Sequence, residues 1–278
     1  MDYKRILSVQ DVSCVGQCSL TVALPIISSV GVETAILPSA VLSTHTAPGF
    51  GKFTFRDLTE DLDGIIDHWK KENIKFDCLY TGYLGNDKQV DLILKIKDSL
   101  LNKNALFVCD PAMGDNGKLY TGFDIKFAKN MARLCSKADI ILPNITEASF
   151  MLGVEYKEKY DIEYVKDIAK RLLDLGAKNI VLTGISFEDD STGVYIVENG
   201  KETYFKHPKI NISRHGTGDI YSSAFTGALM NGKSIYESAK IAALYTYKCI
   251  NISKDDENHW YGVKFEKEIG YLRSLIFD

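Results

Sequence analysis

Short apolar runs along the chain alternate with longer stretches in which apolar residues recur every three or four positions. The runs Ile6–Val9, Thr34–Leu37, Cys78–Thr81, Leu106–Cys109, Ile140–Leu142 and Ile180–Thr183 read as buried strands. Between them, residues 18–29, 57–73, 88–101, 122–136, 146–152 and 161–175 carry the helical period. Strands this short and apolar, alternating with amphipathic helices, predict an α/β fold: a mostly parallel central sheet covered by helices on both faces. Val194–Val197 and Thr203–Phe205 flank Glu198-Asn199-Gly200-Lys201-Glu202, in which Asn-Gly signals a hairpin, so an antiparallel edge is expected there. Helices near 219–231, 234–252 and 264–276 complete the chain. No internal repeat, low-complexity segment or linker interrupts the pattern, and a single domain over 1–278 is expected.

In a sheet of this kind ligands bind outside the carboxyl ends of the strands. Those ends read Gln10-Asp11, Thr81-Gly82-Tyr83, Asp110-Pro111, Pro143-Asn144 and Thr183-Gly184, so polar residues and glycine collect on one rim. Each has a plain structural reading as well. Asp110-Pro111 opens turns, Asp115-Asn116-Gly117 is an ordinary turn, and Asn144 with Glu147 matches a helix capping box.

Composition excludes more than it selects. The chain has 278 residues, is 45% hydrophobic and carries a formal charge of −4. This gives no support for binding nucleic acid or an anionic membrane. No apolar run approaches the ~20 residues of a spanning helix. The start, Met1-Asp2-Tyr3-Lys4-Arg5, has no signal-peptide character, and a cytoplasmic location is expected. The six cysteines are scattered without zinc-type pairing and are expected to be reduced.

The richest stretch is Arg214-His215-Gly216-Thr217-Gly218-Asp219 followed by small and apolar residues to Phe225. Gly216 and Gly218 give the backbone freedom to approach a ligand, and a helix opening near Asp219 leaves its first N–H groups free for an anion. A carboxylate beside bound phosphate either handles a proton or caps its helix, and the local pattern leaves both open. The string Gly227-Ala228-Leu229-Met230-Asn231-Gly232-Lys233-Ser234 matches a phosphate-binding P-loop in letters only. That loop must follow a strand, whereas 224–230 reads as helix, with Gly232 as its C-cap and Ser234/Glu237 capping the next.

Gly216-Thr217-Gly218-Asp219, Asp110-Pro111-Ala112-Met113-Gly114-Asp115, Thr81-Gly82-Tyr83-Leu84-Gly85 and Pro143-Asn144-x-x-Glu147 together resemble the vitamin kinases of the ribokinase-like superfamily. Ile6–Asp11 and Leu42–Thr46 narrow the resemblance to the pyridoxal kinase family, over about residues 5–270. The resemblance implies a ribokinase-like three-layer sandwich and ATP-dependent phosphorylation of the 5′-hydroxymethyl group of vitamin B6 vitamers. Asp219 then corresponds to the catalytic base, and Gly216, Thr217 and Gly218 to the anion hole for the γ-phosphate. Asp110 and Glu147 correspond to the Mg²⁺ side, Asn144 and Thr183 to nucleotide contacts, and Asp11, Thr46 and Tyr83 to the ring pocket. Residues 45–51 correspond to a flexible cover. A monovalent cation such as K⁺ and a homodimer are implied in the same way.

Two departures bear on substrate. Many pyridoxal kinases carry Ser where this chain has Asp11, and an acidic residue there favours a protonated ring nitrogen or an amine. Pyrimidine kinases of the thiamin pathway share the fold but usually carry Cys where Asp219 stands. Hydroxymethylpyrimidine is the alternative substrate, and a non-catalytic vitamin-binding protein on the same scaffold is the alternative class.

Overall fold

The computed structural model describes residues 3–46, 49–212 and 214–278. Its strands are β1 (Arg5–Ser13), β2 (Glu33–Leu42), β3 (Phe55–Asp57), β4 (Phe76–Thr81), β5 (Leu101–Cys109), β6 (Gly114–Asp115), β7 (Lys118–Leu119), β8 (Ile140–Ile141), β9 (Asn179–Glu188), β10 (Ser191–Glu198) and β11 (Lys201–Pro208). Its α-helices are α1 (Leu20–Ser29), α2 (Thr59–Lys71), α3 (Asp87–Leu100), α4 (Ile125–Cys135), α5 (Ile145–Leu152), α6 (Ile162–Leu175), α7 (Thr217–Met230), α8 (Ile235–Ser253) and α9 (Ile269–Phe277).

A nine-stranded sheet runs in the order β11-β10-β9-β8-β5-β4-β1-β2-β3. The six strands from β9 to β2 are parallel, and antiparallel pairs close both edges, β10–β11 at one side and β3 at the other. Side chains alternate between two cores. Leu7, Leu79 and Phe107 point to the face covered by α2 to α6, while Ile6, Tyr80 and Val108 point to the face covered by α1, α7, α8 and α9. The three layers are those the alternating pattern requires, and the fold is the expected α/β sandwich.

Local chemistry sets the helix limits. Asp124 and Asp161 accept backbone N–H bonds at the starts of α4 and α6, and Gly153 and Gly176 end α5 and α6 in the left-handed conformation. Ser234 and Glu237 form the expected capping box. The rejected P-loop string is indeed a helix end, with the detail that Asn231 is the C-cap and Gly232, at φ 86°, follows it. Two elements lay outside the sequence expectation: edge strand β3, and the β6–β7 ribbon, whose turn is the Asp115–Gly117 segment.

β1 is flanked by β2 on one side and β4 on the other, so successive crossovers leave it in opposite directions. This is the switch point at which such sheets open a crevice. The β1–β2 register slips between Gln10 and Val12, placing Asp11 at the irregularity.

The β10–β11 turn has Asn199 at φ 51° and Gly200 at φ 79°, the pair of positive angles that a two-residue hairpin needs. Gly200→Val should therefore lower unfolding free energy by about 1–2 kcal/mol in urea titration, since a β-branched residue is strained there. An unchanged midpoint would mean that the hairpin tolerates another turn.

Candidate active site

The carboxyl ends of the parallel strands and the start of α7 enclose a crevice of about 740 Å³, a size suited to small-molecule ligands. All the residues singled out from the sequence line it: Asp11, Thr46, Tyr83, Asp110, Asn144, Glu147, Thr183, Gly216, Thr217, Gly218 and Asp219. Of the 45–51 segment, His45 and Thr46 reach the crevice, while Ala47 and Pro48 lie outside the described residues.

α7 begins without a side-chain cap. Its N-cap is Gly216 in the left-handed conformation, φ 76°, and no side-chain oxygen takes up the free N–H groups of the first turn. Gly216 has no substitute, because a Cβ there would stand 2.1 Å from the Gln17 carbonyl oxygen. Gly218 differs from the sequence expectation: it lies inside the helix without a positive φ, and a Cβ there would meet no protein atom. What its missing side chain keeps clear is crevice, so the position serves close approach rather than backbone freedom.

Asp219, in the first turn, does not cap the helix. Burial pushes its carboxyl up to about 7, and the Asp110 carboxylate adds to the rise, opposed in part by the Ser19 N–H and reinforced by Asp11. A base that titrates near neutrality, beside unsatisfied N–H donors, is suited to taking a proton from an alcohol as its oxygen attacks phosphorus.

Across the crevice, Asp110 Oδ2 accepts from Ser222 Oγ at 2.6 Å and Oδ1 from the Ala112 N–H at 3.1 Å. Glu147 completes the capping box with Asn144 and binds Met113 N–H as well, at 2.9 and 3.1 Å. The capping reading of Glu147 is thus correct, and it coexists with a second feature. Burial, and then the Asp110 charge, push Glu147 well above the usual carboxylate range, and burial raises Asp110 too. Two buried carboxylates in mutual repulsion are the kind of oxygen donors that would suit a hard divalent cation. Among the described residues no cluster of three or more His, Cys, Asp or Glu holds a metal by itself, so nucleotide oxygens have to complete any such sphere. Asn144 is more constrained than expected: its amide donates to Gly114 O at 2.9 Å while its carbonyl caps α5.

At the opposite end Asp11 is buried, with Ser13 Oγ donating to one carboxylate oxygen at 2.8 Å and Ser19 Oγ to the other at 2.6 Å. Burial raises its pKa against these bonds. Ser19 is the N-cap of α1 yet does not cap it, because its hydroxyl is turned to Asp11; its backbone, φ 54° and ψ −128°, is strained to do so. Tyr83 lies tilted against Phe123, 5.3 Å between ring centres, and burial pushes its hydroxyl up to about 12.

Ser222, Ser13, Ser19, His45 and His215 also face the crevice or its carboxylates and were not singled out as site residues. Ser222 was within reach of sequence reasoning, three residues after Asp219 on one helical face. The β10–β11 wall, through Val194, His207 and Ile210, gave no such signal.

Comparison with known proteins fits this geometry. The family model described as Phosphomethylpyrimidine kinase matches residues 61–263. A pyridoxal kinase of Dictyostelium discoideum is 30% identical over 240 residues, covering 80% of this chain and 77% of that protein. The chain belongs to the pyridoxal kinase family. That places it among the phosphotransferases of the ribokinase-like superfamily and removes the non-catalytic reading. Two solved structures extend the likeness. One, a Bacteroides thetaiotaomicron protein provisionally classed as a phosphomethylpyrimidine kinase and crystallised with pyridoxal, has a TM-score of 0.90 and 37% identity, covering 98% of this chain and 96% of that one. The other, pyridoxal kinase from Lactobacillus plantarum, has a TM-score of 0.89 and 29% identity, covering 99% and 98%.

The Gly218 geometry separates binding from folding. Gly218→Ala should leave the melting temperature unchanged or raise it, since Ala is favoured over Gly in a helix by up to about 1 kcal/mol. It should nonetheless weaken nucleotide use, raising KM for ATP by about tenfold or more. Normal kinetics in this variant would show that the phosphate does not approach the first turn.

Proposed function

We propose that the chain transfers the γ-phosphoryl group of ATP to the 5′-hydroxymethyl group of vitamin B6 vitamers, giving pyridoxal 5′-phosphate and related phosphates. The observation that carries this reading is Asp219, titrating near neutrality in the same uncapped helical turn that offers N–H groups to an anion. Family membership supports the reaction class, and the pyridoxal-bound Bacteroides structure supports the substrate class.

In this reading the vitamer lies between Asp11 and Tyr83, with its primary alcohol directed at Asp219. Asp219 takes the alcohol proton as the phosphoryl group moves across. The N–H groups of residues 216–218 receive the charge on the transferring phosphate, where positioning and neutralisation supply most of the catalysis. Asp110 and Glu147 are the residues that would hold Mg²⁺ on the nucleotide side, where a divalent ion would supply positive charge to offset that of the phosphates. Thr183 and Asn144 wall the nucleotide side of the crevice, with Asn144 fixing the Glu147 turn from within. Asp11, its two oxygens held by Ser13 and Ser19, meets a protonated ring nitrogen or an amine. The family reading extends to a homodimer acting in the cytoplasm, and among the described residues no helix is long and apolar enough to cross a membrane.

The family model's description, Phosphomethylpyrimidine kinase, keeps the pyrimidine alternative open, and hydroxymethylpyrimidine is the second substrate to test. Pyridoxal, pyridoxine, pyridoxamine and hydroxymethylpyrimidine, compared for ATP consumption and phosphorylated product, decide between the two. A B6 vitamer should lead in kcat/KM by about tenfold or more. Asp11→Ser should narrow any preference for pyridoxamine over pyridoxal, and an identical vitamer ranking would remove Asp11 from ring recognition.

Asp219 must be ionised to accept a proton, so kcat/KM should rise as pH climbs through about 7 and level off above it. Asp219→Asn should abolish that limb and lower kcat roughly 10²–10⁴-fold while nucleotide binding survives. A variant within about threefold of the parent would refute base catalysis, because a contribution of that kind is far larger.

A further inference from the structure

Arg214 stands two residues before Gly216 and belongs to the crevice wall. Its Nη2 donates to three main-chain carbonyls, Ser253 O at 3.3 Å, Lys254 O at 3.4 Å and Asp256 O at 3.3 Å. These oxygens belong to the last residue of α8, to its C-cap Lys254 and to Asp256 just beyond, at the end of a helix that carries partial negative charge. Arg214 is tied to the glycine loop as well: its own carbonyl accepts from Thr217 Oγ1 at 3.3 Å. The Asp256 carboxylate is engaged elsewhere, by Lys264 Nζ and by the Asn258 N–H. Among the described residues no carboxylate forms an ion pair with Arg214, so main-chain carbonyls are the partners its guanidinium has.

Several carbonyl oxygens converging on one point beside an anion site are the donor set that a potassium ion takes. Here the point is filled by a side chain of the same molecule. A monovalent cation, which the family resemblance implies, does not fit a cluster already closed by a guanidinium.

We propose that Arg214 is a built-in substitute for a monovalent cation, a positioning residue that ties the 216–218 loop to the end of α8 and makes phosphoryl transfer independent of K⁺. The inference rests on the kinase reading above. Arginine suits the role because its fork of N–H donors reaches several acceptors at once.

The test compares rates and Mg–ADP binding in KCl and in tetramethylammonium chloride at about 0.1 M ionic strength. The wild-type protein should change by less than about twofold between the salts in both measurements. Arg214→Ala should lose about tenfold or more in kcat/KM for ATP in tetramethylammonium, and KCl or guanidinium chloride should restore part of it. Arg214→Lys should retain more activity than Ala, and carries the test with the wild-type salt comparison if the Ala variant does not fold. A wild-type enzyme that needs K⁺, or an Ala variant with parental kinetics in both salts, overturns the proposal. So does a folded Ala variant whose loss neither cation relieves. If the wild type phosphorylates nothing in either salt, the kinase reading fails instead, and the Mg–ADP affinities in the two salts still decide the role of Arg214.

Discussion

The uncapped first turn of α7 is the constraint on which the site depends. A helix start normally satisfies its N–H groups with a side chain, as α4, α5, α6 and α8 do here. α7 does not, and Gly216, packed against the Gln17 carbonyl, leaves no room for a capping side chain. In the proposed reading the turn is kept for an exogenous anion. Carboxylates stand on the other sides of the same space, and burial together with mutual repulsion raises Asp219 and Glu147. A donor-rich turn facing repelling acids is a poor arrangement for an empty protein and a good one for phosphate arriving with a cation.

The supporting shell is built from neighbours that fix the acids without neutralising them. Ser222 holds Asp110, the Met113 and Asn144 N–H groups hold Glu147, and Ser13 and Ser19 hold Asp11. None of these donors carries a charge, so each fixes the orientation of its acid without supplying a counter-charge. Ser19 shows the cost most clearly, since it gives up the cap of α1 and adopts a strained backbone to reach Asp11.

Most of the parallel strands were legible because they are apolar runs buried on both faces, and the rim followed because a strand's last residues point to the crevice. β3 was not legible: Phe55, Arg56 and Asp57 are all exposed, and pairing with β2, not an apolar pattern, makes them a strand. The same distinction divides the site. Tyr83, Asp110 and Asn144 sit just past strand ends and Asp11 at the irregularity near the end of β1, and all four could be placed by counting. Arg214 meets carbonyls 39 to 42 residues away, and Ser19 reaches Asp11 through a chain reversal, so tertiary geometry alone brings them together. Gly218 was the right residue for an incomplete reason, since a glycine in a string does not disclose whether it serves a dihedral or an open space.

The crevice also makes the stability of the ligand-free protein depend on pH. Asp11, Asp110, Glu147 and Asp219 all have pKa values above those of an unfolded chain. Above about pH 4 the folded state holds protons there that the unfolded chain has released, so these groups favour folding in mild acid and lose that contribution as pH rises through their native values. Surface carboxylates such as Asp63, Glu188 and Asp256, lowered by Lys95, Lys206 and Lys264, act in the opposite sense and weaken the fold only in stronger acid. The two sets of groups pull stability in opposite directions, and in the proposed mechanism Asp219 acts as a base only where its own contribution to the fold has been lost.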